Sequence, residues 1–167
     1  MKRDLRFEAF YPHPVEAVWA AVSNREVLSR WLMPNDFEPR VGHRFRFHTR
    51  PAPGFDGTVY CEVLEVDPPN RLSFSWTGGW QRTPTTVTFI LEPVQGGTRF
   101  VLEHTGFEGP KGVALSHILE RGWGPMVRTE LGRIVAEIAG GMSKQQRQEV
   151  PAKPQNYSTG EQHNGNQ

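Results

Sequence analysis

His104 lies in the run RFVLEHTGF, where Phe100, Leu102 and His104 alternate with Arg99 and Glu103. On a strand that alternation puts the imidazole on the same face as the two apolar residues. An inward histidine that titrates near neutral pH could hydrogen-bond a ligand or move a proton. The alternative is a buried histidine satisfied by a backbone carbonyl. The chain has six histidines, at positions 13, 43, 48, 104, 117 and 163. None pair at metal-ligand spacing, and His43 and His48 fall on opposite faces of a regular strand, so no metal site is expected. GxSxG, P-loop, HExxH and CxxC patterns are all missing. No catalytic residue and no cofactor is therefore assigned. Cys61 has no basic neighbour in sequence to activate it and reads as a packed thiol.

The positive signal is aromatic. Phe45, Phe47, Phe74, Trp76, Phe89 and Phe100 fall on the apolar parity of four strands, and Trp31, Trp123 and Met126 are placed to close the ends. Any one of them reads as ordinary core. As a group they suit a pocket, which is lined by apolar side chains and few polar ones. The expected ligand-binding set is Trp31, Phe45, Phe47, Tyr60, Phe74, Trp76, Phe89, Phe100, His104, Trp123 and Met126. Thr88 and Glu62 are further polar candidates. Arg44, Arg46, His48 and Arg50 form a basic stripe opposite Phe45 and Phe47. It reads either as a docking face for an acidic protein partner or as a solvated face that discourages edge pairing. No aromatics interleave on the face of the stripe and the net charge is +1, so nucleic acid is not an expected partner.

These residues need elements to hold them. Leu5–Tyr11 alternates as a first strand, ended by Pro12 and Pro14. Pro14 suits the first turn of a helix carrying Val15, Val18, Trp19 and Val22. Ser23 with Glu26 predicts a capping box for a second short helix, which presents Val27, Leu28 and Trp31 and stops before Pro34. Strands follow at Arg44–Arg50, Thr58–Val66, Leu72–Thr77, Val87–Leu91 and Phe100–His104. Within Thr58–Val66 the apolar residues change parity between Cys61 and Leu64, as a β-bulge or burial on both faces would require. Residues 51–57 and 106–112 read as loops. Val113–Arg121 is a helical lead-in. Then Trp123, Val127, Leu131, Ile134 and Ile138 trace one stripe of a long helix over 122–141, with Gly140 and Gly141 as its stop. Pro125 predicts a kink or break near Arg121. The outcome is an α+β domain over 1–141 with a meandering antiparallel sheet.

Residues 142–167 carry few apolar side chains and no period, so a disordered polar tail is expected there. Apolar content is 37%, and 19 basic residues balance 18 acidic ones. The single cysteine excludes an intrachain disulfide and suits a reducing compartment. MKRDLRFEAF lacks the apolar core of a signal peptide, and no apolar run nears the ~20 residues that span a bilayer. A cytoplasmic protein with no membrane partner is the expectation, and monomer and homodimer both stay open.

The run PVEAVWAAVSNREVLSRWL at 14–32 resembles the opening signature of the START-like, helix-grip superfamily, also called SRPBCC or Bet v-like. VLEVDPPNRLSFSW at 63–76, TVTFILEPVQGGTRFVLEHTGF at 86–107 and GW at 122–123 extend the likeness to the branch named for the activator of the ninety-kilodalton heat-shock protein ATPase. The resemblance implies about seven antiparallel strands curled round a long C-terminal helix, with a pocket between. It implies three alternative roles. The first is a non-catalytic protein that binds a small apolar or aromatic molecule. The second is a co-chaperone-like module that docks by its surface. The third is a polyketide cyclase-like enzyme that uses His104 for proton transfer.

Overall fold

The computed structural model describes residues 1–149, with side chains to 143. Strand β1 is Lys2–Tyr11, followed by helices α1 (Val15–Ser23) and α2 (Arg25–Trp31). Strands β2 (Arg44–His48), β3 (Thr58–Asp67), β4 (Arg71–Trp76), β5 (Thr85–Val94) and β6 (Gly97–Glu108) come next. The chain closes with α3 (Gly109–Pro125), a π-helical turn over Met126–Glu130, and α4 (Leu131–Glu149). All strand pairs are antiparallel and form one six-stranded sheet in the order β1-β6-β5-β4-β3-β2. This is the expected α+β helix-grip architecture. The sheet has six strands where about seven were expected.

Parity dictates which side chains go in. Phe45 and Phe47, Phe74 and Trp76, Val87 and Phe89, and Phe100 and Leu102 are all buried. The parity change in β3 is a bulge: Val63 pairs with Phe74 and Glu65 with Ser73, leaving Leu64 unpaired and exposed. The helical stripe packs onto this face, with Trp123, Val127, Leu131 and Ile134 buried and Ile138 half-buried. Beside α4 lies α1, buried through Ala17, Val18, Ala21 and Val22.

Four local expectations need correction. Asn24, not Ser23, caps α2: its Oδ1 accepts the N–H groups of Glu26 and Val27 at 3.0 and 3.1 Å. The Ser23 hydroxyl instead bonds back to the Trp19 carbonyl, the competing habit of a serine one turn earlier. Residues 106–112 are not a loop, since β6 runs to Glu108 and α3 starts at once. Pro125 does not break the helix near Arg121. The helix runs through Pro125 and changes pitch just beyond it, where the Leu131 N–H reaches back five residues to the Met126 carbonyl. Finally, Gly140 and Gly141 do not stop the helix, which runs to Glu149. The expected tail beyond that, 150–167, lies outside the described residues.

The π turn creates a partner for β1. In a regular helix the Leu131 N–H would bond to Val127. Here the Val127 carbonyl accepts the Tyr11 phenol at 2.5 Å, in a setting buried enough to push the phenol pKa up. Gly132 lets the ring lie close, since a Cβ there would stand 3.3 Å from Tyr11 Cε1.

Candidate functional site

The sheet and the C-terminal helices part at one end and leave an apolar hollow of about 270 Å³. Ile118, Leu119, Gly122 and Trp123 of α3 form one wall, extended by Met126. Val59 of β3 and Trp76 of β4 face it. Leu32 and Met33, which follow α2, and Thr49 and Phe55, from the β2–β3 connection, complete the lining. Among the described residues no charged side chain borders the space.

Local sequence explains each wall. Asn35 holds the chain after α2 by donating to the Met33 carbonyl at 2.9 Å and accepting the Phe37 N–H at 3.0 Å. The β2–β3 connection folds back on itself, with Ala52 and Phe55 exchanging backbone hydrogen bonds of 2.9 and 2.8 Å. Gly57 makes the return possible: its φ is +87°, and a Cβ would meet the Thr49 carbonyl oxygen at 2.7 Å. That turn brings Phe55 to the hollow.

His104 sits behind the hollow and is fully buried. The Trp123 indole N–H donates to His104 Nδ1 at 3.1 Å. An indole is donor-only, so Nδ1 must be unprotonated and the proton of the neutral ring lies on Nε2. Nε2 then donates to Thr85 Oγ1 at 2.7 Å, and Thr85 donates to the Trp76 carbonyl at 3.1 Å. The relay runs from α3 through β6 and β5 to β4. Burial lowers the imidazole pKa from 6.5 to about 3. Both nitrogens are engaged within the fold, so neither is open to take a proton from a bound molecule. His104 is thus satisfied by two side chains rather than by a carbonyl.

The other expected site residues divide sharply. Trp76, Trp123 and Met126 line the hollow. Phe45, Phe74, Phe89 and Phe100 do not: they form a packed chain with successive ring centroids 5.4, 5.6 and 5.7 Å apart. Phe47 joins it 5.3 Å from Phe45, and Trp31 stands 5.8 Å from Phe89 with its N–H on the Ala21 carbonyl. Tyr60 lies on the outer sheet face, 52% exposed, and donates to Asp56. Thr88 is buried, and the Glu62 N–H is held by Ser75. Sequence reasoning missed Leu32, Met33, Phe55, Ile118 and Leu119. The last two had a signal, because they share a helical face with Gly122 and Trp123.

The basic stripe is exposed as expected, but its charge is partly offset. Arg44 stands 3.7 Å from Glu62 and Arg46 3.6 Å from Asp36. The Arg46 N–H also bonds to Asp36 and the His48 N–H to the Pro34 carbonyl, so residues 34–36 cover the β2 edge. Among the described residues no three His, Cys, Asp or Glu side chains gather into a metal-binding group. Nor does any helix among them have the length and apolarity to cross a membrane.

A curled sheet gripping a helical C-terminus, with an apolar hollow at the open end, defines a START-like protein of the SRPBCC superfamily. Within it, the chain belongs to the Activator of Hsp90 ATPase homolog 1-like family, whose sequence profile matches residues 12–136. It is similar to protein MLL2253 from Mesorhizobium loti, at 32% identity and a TM-score of 0.72 over 81% of this chain and 98% of that one. It is similar to BH1534 from Bacillus halodurans, at 32% identity and a TM-score of 0.66 over 81% and 99% of the two chains. CalU16 from Micromonospora echinospora shares the fold at 23% identity and a TM-score of 0.57, over 86% and 87%. No curated protein matches the chain.

Proposed function

We propose that this protein binds one small, uncharged, apolar molecule in the hollow beneath α3, without catalysing a reaction on it. One observation carries the reading. The aromatic core packs ring on ring, and beside it an apolar space of about 270 Å³ stays open. Cores close such gaps when they can, because an unfilled void forfeits dispersion contacts. An apolar cavity of roughly 150 Å³ already accommodates benzene, so this space suits a larger guest. Removal of apolar surface from water would supply the affinity.

The surface-docking alternative rests on the basic stripe, where two of the arginines already face carboxylates. The enzyme alternative rests on His104, whose nitrogens are both occupied. The hollow therefore carries the proposal. Titration with naphthalene, followed by tryptophan fluorescence, tests it, because Trp76 and Trp123 both border the space. Wild type should saturate with one equivalent, and Gly122→Phe, which sets a ring at the mouth, should abolish the response. A linear, non-saturating response in wild type would refute it.

A further inference from the structure

The hollow has one buried polar side chain that the fold itself leaves without a partner. Three tryptophans have buried side chains: Trp31, Trp76 and Trp123. Trp31 donates its N–H to the Ala21 carbonyl and Trp123 to His104. The Trp76 N–H has no acceptor among the described residues, although only 4% of the residue is exposed. A buried indole usually finds a partner for its N–H. No side-chain nitrogen or oxygen among the described residues is both sealed in and unpartnered, so the Trp76 nitrogen must reach open space. The open space its side chain borders is the hollow.

The ring is also fixed. Phe47, His104 and Trp123 surround it with centroids 5.7, 5.3 and 5.5 Å away. Its own backbone carbonyl is pinned by Thr85 and by Gln81 Nε2. A donor held this rigidly needs little reordering to meet an acceptor.

We propose that the Trp76 indole N–H is the polar anchor of the hollow, and that the molecule held there is a neutral two-ring aromatic bearing one hydrogen-bond acceptor, such as a carbonyl or ether oxygen. The inference rests on the binding function proposed above. Size sets the two rings, since the volume of about 270 Å³ is nearly double the ~150 Å³ that holds benzene. A donor-only group sets the acceptor. The described residues put no cation on the lining, which sets the neutrality, because a carboxylate moved into an apolar space without a counter-charge is strongly disfavoured.

Three probes of similar shape separate the claims: 2-acetylnaphthalene, 2-isopropenylnaphthalene, in which CH₂ replaces the oxygen, and 2-naphthoate. Affinities are measured by calorimetry on the full chain and on Trp76→Phe. The substitution should lower the ketone's affinity relative to the alkene by roughly fivefold, the net worth of one neutral hydrogen bond. In wild type, the Trp76 indole proton should move downfield in ¹H–¹⁵N spectra with the ketone and not with the alkene, a readout that needs no variant. 2-Naphthoate should bind weakest. An unchanged ketone-to-alkene ratio with no selective downfield shift, or tightest binding by 2-naphthoate, overturns the anchor while leaving the binding function standing. Failure of all three probes to saturate overturns both.

Discussion

The Trp123 indole N–H meets His104 Nδ1 at 3.1 Å, joining the helix that walls the hollow to an interior strand of the sheet. This bond sets the tautomer of a ring with no contact to water, and it ties the shape of the hollow to the protonation of one buried group. A proton on Nδ1 would turn the acceptor into a donor facing another donor.

Stability should therefore fall in acid with a definite window. His104 has a pKa of about 3 in the folded state against its ordinary 6.5. As pH drops below 6.5 the unfolded chain takes up the proton first, so folding loses up to about 1.4 kcal/mol per pH unit from this group until pH nears 3. Above 6.5 the group contributes no pH dependence. Urea unfolding across pH 4–8 measures the slope. In ¹⁵N spectra, His104 should keep its Nε2–H form throughout the folded range. A His104 resonance that titrates near 6.5 in the folded protein would contradict the relay.

Tyr11→Phe should cost about 1–2 kcal/mol in urea unfolding. The ring still packs against Phe100, at 5.9 Å between centroids, but the Val127 carbonyl loses its phenol partner within the π turn. An unchanged midpoint would mean that the carbonyl finds another donor.

The core and the hollow should separate by mutation. Phe74→Ala removes a ring packed against Phe45, Phe47 and Phe89, and should cost ~3–5 kcal/mol. Met126→Ala borders the hollow and is only half-buried, so stability should fall by less while naphthalene binding weakens. Equal loss of stability in the two variants would show that Met126 belongs to the packed core.

Gly122→Ala should stabilise the protein by about 0.5–1 kcal/mol. The residue lies within α3 and its added Cβ meets nothing within 4 Å. Thermal unfolding checks this. A destabilised variant would mean that α3 needs freedom at that point.

Strand alternation and the Trp123–Ile134 stripe were legible in the sequence because burial acts directly on the period of side chains. The parity change around Leu64 marked the place of the bulge, though burial on both faces would have given the same pattern. The site was only partly legible. Parity marks Phe89 and Trp76 alike as inward, but it cannot say which end of a curved sheet the helix fails to cover. Trp76 lies at the end of β4, toward that opening, whereas Phe89 pairs mid-strand with Leu72 and Leu102. Phe55 was hidden because a turn, not a period, aims it. The π turn was hidden because the apolar stripe of a helix looks the same whether one turn is closed to the fourth or the fifth residue back.

The central claim is that the unfilled end of the grip receives a guest. Methyl ¹H–¹³C spectra of the full chain, titrated with 2-acetylnaphthalene, test it most directly. Methyls of Leu32, Met33, Ile118, Leu119 and Met126 should shift together and saturate, while those of Leu72, Leu102 and Ile134 in the packed interior stay put. Shifts confined to the outer sheet face, or none that saturate, would contradict the account.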